Sequence, residues 1–306
     1  MPLVGAAGIG SMLGSGIIIG LSATITVWQS GLGLTDGQVG SLSGALTFAI
    51  AAGSLLAGNI TKLCGLIRSF NMMSRIYLIG PAICVLSGNF PVLLAGLIIT
   101  GFASGADLPI SLTVISHDAP NEKVSASLIA STQVFWQIGV LGSYAMAFIV
   151  SHVEGAAGAR MVFALLAVLA GIAFVWRTFS KKFKEFHAAG DEYRAAEGTK
   201  TSTEVSFASL FKGTDGKKYV SFFSCIIIFY VCWNLLANTF GQFQTYILVK
   251  ANASQSLATG CGIVLNIVGL ICGILFASAA GSKHRNKFFY VGIVIQAGAM
   301  ILSLIH

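Results

Sequence analysis

Charge is almost absent from most of this chain, and that absence dictates what it can fold into. Asp, Glu, Lys and Arg make up 9% of its 306 residues, against about 25% in an ordinary soluble domain. The bounded apolar stretches run 3–28, 37–60, 72–88, 91–116, 125–151, 157–178, 219–249, 255–280 and 287–305. Each comes close to or exceeds the roughly 20 residues that cross about 30 Å of hydrocarbon. Backbone in lipid must satisfy its own hydrogen bonds, and these runs are continuous rather than alternating, so helices are the form they dictate. The expected fold is all-α: a polytopic membrane bundle of nine transmembrane helices. A soluble enzyme and a disordered chain are both excluded. The first stretch has no basic leader and is too long for a signal-peptide core, so it is expected to stay as a span. The six cysteines form no CxxC pair and lie mostly in apolar runs, which reads as small buried hydrophobes rather than a disulfide or metal set.

The basic residues orient the bundle. With a cytosolic N-terminus, the segments 60–75, 117–125, 177–218 and 281–287 face inward and hold 16 of the 18 Lys and Arg residues. Only Arg160 and Lys250 fall outside. The asymmetry survives removal of the long central segment, which weighs less in this rule. The positive balance, +7, is therefore a membrane-surface feature and gives no case for nucleic acid. The expected location is the inner or plasma membrane, multi-pass.

The stretches are grouped six, loop, three. Residues 1–178 form an expected six-helix half, 179–218 a cytosolic central loop, and 219–306 the first three helices of a second half. The loop begins SKKFKEFHAAGDEYRAAEG, which suits either a basic surface helix with Phe183 and Phe186 in the headgroups or a solvated linker. Two six-helix halves, each of two inverted three-helix repeats, is a layout of secondary transporters. Against it, the chain is expected to stop three helices short, after helix nine.

Inside lipid, a strongly polar side chain is a site hypothesis by default. Asp107 is the clear intramembrane charge, two residues before Pro109 in GFASGADLPISL. It is a proton-coupling candidate, or it holds a hydrogen bond between helices. In the fifth stretch Gln133 and Gln137 are four apart, with Trp136 three from Gln133, so amides share a face with an indole. Hydroxyls need paired donors and acceptors and a sugar's CH face packs on an aromatic ring, so this set suits a sugar or polyol. Asn234, Asn238 and Gln242 repeat the logic at i, i+4, i+8 in the seventh stretch, beside Trp233 and Phe243. Asn266 is a weaker member. Interhelical hydrogen bonding is the bland alternative for all of them. The spacings Gly40 to Gly44, Gly101 to Gly105 and Gly269 to Gly273 are expected to let helices approach closely.

No GxxxxGK[ST], HExxH, paired-carboxylate motif or nucleophile elbow occurs, so neither ATP-driven pumping nor hydrolysis has visible machinery. No cofactor and no metal are expected, and the chain does not read as an enzyme. The histidines lie at span ends or in the loop, and His117 is placed for a cytosolic proton role.

The run GFASGADLPISLTVISHDAPNEKVSAS with TQVFWQIGVLGSY resembles helices four and five of the major facilitator superfamily, in its sugar-porter branch, as found in bacterial inositol and sugar permeases. The similarity extends along essentially the whole chain. It implies that Gln133, six residues before Gly139, contacts the sugar, and that CWNLLANTFGQF supplies further contacts, with Asn234 in place of a glutamine. The loop between helices two and three keeps Gly58, Gly65 and Arg68, but Lys62 stands where the family has an acid, and Leu66 and Ile67 where it has bases. Leu97, His117, Val124 and Ser125 are further departures, and Gly14 replaces an acid many relatives carry in helix one. In the second half GSKHRNK keeps Lys283, Arg285 and Lys287 without the acid.

Those charges hold the cytosolic face shut in the family, so Lys62, Arg68, His117 and Asp118 are the gating candidates, with Lys62 pairing to Asp118 or Glu122. The expected function is secondary active or facilitative transport of a small neutral solute, a sugar or a polyol such as inositol, by alternating access, with a proton as candidate co-substrate and the bilayer as partner. The alternative is a non-transporting paralogue or remnant acting as a membrane sensor or scaffold.

Overall fold

The computed structural model describes residues 2–119, 122–196 and 216–280, together with 287, 290–295 and 297–298. The helices are α1 (Pro2–Leu32), α2 (Asp36–Cys64), α3 (Leu66–Leu86), α4 (Phe90–Asp118), α5 (Glu122–Ile149), α6 (Ala157–Phe179), α7 (Lys181–Ala196), α8 (Gly216–Lys250) and α9 (Gln255–Ala280). Among the described residues, six segments are long and apolar enough to cross a membrane, in α1, α2, α3, α4, α6 and α9. Helices α5 and α8 coincide with the fifth and seventh apolar stretches. The ninth stretch lies mostly outside the described residues, as do Lys283 and Arg285. The fold is an all-helical membrane bundle.

Local chemistry sets the boundaries. Thr35 and Gln38 form a reciprocal cap that starts α2. The Asn89 side chain accepts from the Val92 N–H, with Pro91 in the first turn of α4. Gly65, at φ 85°, takes a left-handed conformation that ends α2 and lets α3 start in another direction.

Residues 1–262 form one compact unit and 263–306 another. In the first, α1 packs on α5 and α6, α4 packs on α2 and α3, and α3 packs on α6. Exchanging α1, α2, α3 for α4, α5, α6 turns each of these contacts into another member of the same set, the signature of a repeated three-helix unit. Helix α1, which has no ionisable side chain along its length, also packs against α4 and α8. Trp28 and Phe163 pack edge-on in the core with ring centres 5.7 Å apart.

Small residues make part of this packing possible. A methyl group added at Gly105 would land on the Ile50 carbonyl, and one at Gly101 on the Leu46 carbonyl, so α2 and α4 meet backbone to backbone. Gly40 and Gly44 overturn the parallel expectation: both face open space, as does Gly269. The cysteines need a similar correction, since Cys84 is buried but Cys64, Cys225, Cys232 and Cys272 are exposed. On a membrane bundle the outer surface is itself apolar, so a small hydrophobe gains nothing by turning inward.

Candidate functional site

Gly40 and Gly44 open onto a cavity of about 560 Å³ between α2 and α8. Ser43 and Thr47 continue the α2 wall, while Asn234, Asn238 and Gln242 stand opposite on α8. The amides are ordered among themselves. Asn234 Nδ2 donates to the Tyr230 carbonyl at 2.8 Å, and Asn238 Nδ2 donates to Asn234 Oδ1. Gln242 Nε2 donates across the cavity to Thr47 Oγ1 at 2.9 Å, and that hydroxyl donates back to the Ser43 carbonyl, also at 2.9 Å. Each amide group has two N–H donors and uses one, so the stripe offers both donors and acceptors to a solute. The α2 wall was missed in the sequence. Its signal is a Gly–Ser–Gly–Thr stripe at 40, 43, 44 and 47, which reads equally well as helix packing.

Beyond the cavity lining, hydrogen bonds tie α1 and α2 to the α8–α9 turn. Gln255 at the start of α9 accepts from Thr26 Oγ1 at 2.6 Å and donates to the Ala23 carbonyl at 2.7 Å. Nearby, Ser22 Oγ donates to the Gly241 carbonyl at 2.8 Å, Lys250 reaches Asp36 at 3.2 Å, and Ser151 bonds Ser256 at 3.1 Å. They join the second half of α1 and the start of α2 to α8 and the start of α9, and the segment after α5 to α9. At its opposite end α8 stands clear: Phe222, Ile228 and Tyr230 are each more than 60% exposed.

The α5 candidates lie elsewhere. Gln133 is exposed, and Trp136 and Gln137 are half-buried. Among the described residues the cavity lining comes from α2 and α8, without these three. Gln133 and Gln137 share a helical face with Tyr144, whose hydroxyl donates to Gln244 Oε1 of α8 at 3.5 Å. The Trp136 carbonyl accepts from Ser15 of α1 at 2.7 Å. The side chain of Trp233 lies outside the described residues, Phe243 lines the cavity, and Asn266 belongs to the second unit.

Asp107 has a partner that sequence reading counted only among the inward-facing bases. Arg177, near the end of α6, donates Nη1 to Asp107 Oδ1 at 2.5 Å and Nη2 to Oδ2 at 3.1 Å. It also donates to Ser74 at 2.8 Å and Ser111 at 3.3 Å, and its guanidinium lies 4.0 Å over the Phe70 ring. Both charged side chains are 97% or more buried. Gly10 of α1 makes room, since a methyl group there would strike both Asp107 and Arg177. Arg177 falls one residue inside an apolar run, where hydropathy alone cannot separate a snorkelling base from a buried one.

At the base-rich end, Lys62 and Arg68 are exposed beside the α2–α3 turn. Asp118 is buried, and its two carboxylate oxygens face His117 Nδ1 at 2.8 Å and His187 Nδ1 of α7. Both of its oxygens are thus engaged by histidines, and Glu122, the other partner expected for Lys62, has a side chain outside the described ones. Phe183 is buried against Trp176, ring centres 6.1 Å apart. It therefore docks α7 on the protein and not on headgroups.

A repeated three-helix unit and a cleft between α2 and α8 carrying an amide stripe are set in an all-helical membrane bundle, the architecture of a transporter. The major facilitator superfamily profile matches residues 4–306, and the chain belongs to that family. The minor myo-inositol transporter IolF of Bacillus subtilis (strain 168) is 30% identical over 308 aligned residues, covering 98% of this chain and 68% of that protein. A D-xylose-proton symporter crystal structure superposes with TM-score 0.69 at 15% identity, over 91% of this chain and 68% of the other. The partially occluded inward-open xylose transporter XylE from E. coli gives 0.66 at 16%, over 92% and 73%. At those identities the two structures speak for the fold.

Proposed function

We propose that the protein carries a small neutral polyol, a sugar or an inositol, across the bilayer by alternating access. The observation that carries this reading is the oriented amide stripe of Asn234, Asn238 and Gln242 facing a cavity of about 560 Å³. A hydroxyl gives one hydrogen bond and accepts others, and an amide with a spare N–H and carbonyl answers it in both directions. The α5 pair Gln133 and Gln137, with Trp136, joins this wall in another state of the cycle, as the half that holds α8 rocks about the fixed site. The relatives named for myo-inositol and D-xylose support the same solute class.

The basic residues put the ties between α1, α2 and the α8–α9 turn outside the cell. The described state is then open to the cytosol, with Gln255, Thr26 and the Lys250–Asp36 pair acting as the outer gate. Lys62, Arg68, His117 and Asp118 act at the inner gate. Asp107 is the proton-coupling residue, and Arg177 is its counter-ion: a proton arriving at the carboxylate weakens the pair and frees α4 from α6.

Uptake of radiolabelled myo-inositol and D-xylose into cells or vesicles tests the reading. Asn238→Ala and Asn234→Ala are expected to raise the half-saturation concentration about tenfold each, the cost of one or two hydrogen bonds left unmade. Wild-type half-saturation in both variants removes the stripe from the site. Uptake should depend on pH, and in Asp107→Asn that dependence should vanish; a pH-flat wild type makes the protein a uniporter.

A further inference from the structure

We infer that His117, Asp118, His187 and Asp191 form a proton-sensing latch that fastens α7 to the end of α4 and through it regulates the inner gate. The inference rests on the transport reading only for its effect on flux; the latch itself is geometry. His117 Nδ1 lies 2.8 Å from Asp118 Oδ1, and its Nε2 lies 3.2 Å from Asp191 Oδ1 on α7. Carboxylate oxygens only accept. A neutral imidazole has one N–H and one lone pair, so it satisfies one of these contacts and turns the lone pair against the other. The imidazolium satisfies both. His187 supplies the second tie, from Nδ1 to the other Asp118 oxygen, while its ring stacks on Phe183 at 6.3 Å.

Packing holds the four groups together. Gly190 lies against the His117 carbonyl, its ring and Asp118, near enough that an added methyl group would meet all three at about 3 Å. Asp118 sits at the α4 C-terminus, where the helix dipole is negative and favours a cation. Protonated, the cluster sets two imidazolium charges against two carboxylates. Deprotonated, it leaves the buried Asp118 carboxylate without an imidazolium at the negative end of α4, while Asp191 is largely solvated. The charged imidazoles thus fasten α7 to α4 more tightly than the neutral ones. Among the described residues, α4 brings His117 and Asp118 to this contact and α7 brings His187 and Asp191; α1, also packed on α7, brings no ionisable side chain, and α6, whose Trp176 meets Phe183, brings Arg177, which is bonded to Asp107. Lys184, Glu185 and Glu192 of α7 are exposed.

The test is hydrogen exchange of the 181–196 peptide in the full-length protein in nanodiscs, at pH 6 and pH 8, corrected for intrinsic exchange. Wild-type protection is expected to fall about tenfold between the two, the scale of one charge-assisted hydrogen bond. His117→Gln with His187→Gln keeps a donor at each position but cannot titrate, and should show equal protection at both pH values. Phe183→Ala should lower protection equally at both and keep the pH step. A wild type with no step, or a step that survives in the double glutamine variant, overturns the latch. A pH step in α7 without solute uptake refutes the transport reading and leaves the latch standing, whereas uptake with a pH-flat α7 does the reverse.

Discussion

Replacing Arg177 by Met, or Asp107 by Leu, removes one partner of a pair whose side chains are 2–3% exposed. Each single change strands a charge that has lost two hydrogen bonds; Arg177→Met also removes the bonds to Ser74 and Ser111, which Asp107→Leu leaves in place. Breaking a buried pair from one side costs about 3–5 kcal/mol, while replacing both members by apolar residues of similar size is often neutral or stabilising. The expected pattern is two strongly destabilised single variants and a double variant within about 2 kcal/mol of wild type. That gives a coupling of at least about 4 kcal/mol in the double-mutant cycle. Equilibrium unfolding in mixed phospholipid–SDS micelles, followed by Trp fluorescence, measures it. Single variants that each lose under about 1 kcal/mol and add in the double would refute the reasoning, because only a water-solvated pair behaves so.

Gly105→Val should destabilise by about 1–3 kcal/mol, since the new side chain meets the Ile50 carbonyl, while Gly44→Ala, in open space, should be neutral or gain up to about 1 kcal/mol; the same unfolding assay separates them. Gln255→Leu removes two ties between α1 and the start of α9. At about 0.6 kcal/mol each in a membrane protein, the open population there should rise roughly five- to tenfold. Alkylation from that side of a cysteine placed at Thr47 reads this out, and an unchanged rate would mean that Gln255 is not part of the gate.

Much of the bundle was legible because hydrocarbon imposes one rule on every span: long, apolar, helical. Gly101 and Gly105 were readable as packing, but Gly40 and Gly44 carry the same spacing and line a cavity. Glycine spacing records where a side chain is missing and is silent on what fills the gap. Asp107 was found as an intramembrane charge, while Arg177 was hidden by its place at the edge of a run. The amides of α8 were visible as a stripe, yet their orienting partner Thr47 comes from 195 residues away, and no local pattern encodes such a pairing. The start of the central segment suited either a headgroup-facing surface helix or a solvated linker, and the contact of Phe183 with Trp176 docks it on the protein instead.

Gly10 fills its place in α1 by leaving it empty, and the vacancy is taken by a charge pair from α4 and α6. Four residues on, Gly14 has ordinary room in front of it, with Ser104 and Trp136 at 3.4 and 3.6 Å. A carboxylate there would stand four residues, about 6 Å along the axis, from the place where Gly10 meets the Asp107–Arg177 pair. Loss of Asp107 before a carboxylate is gained there would strand Arg177 in the core.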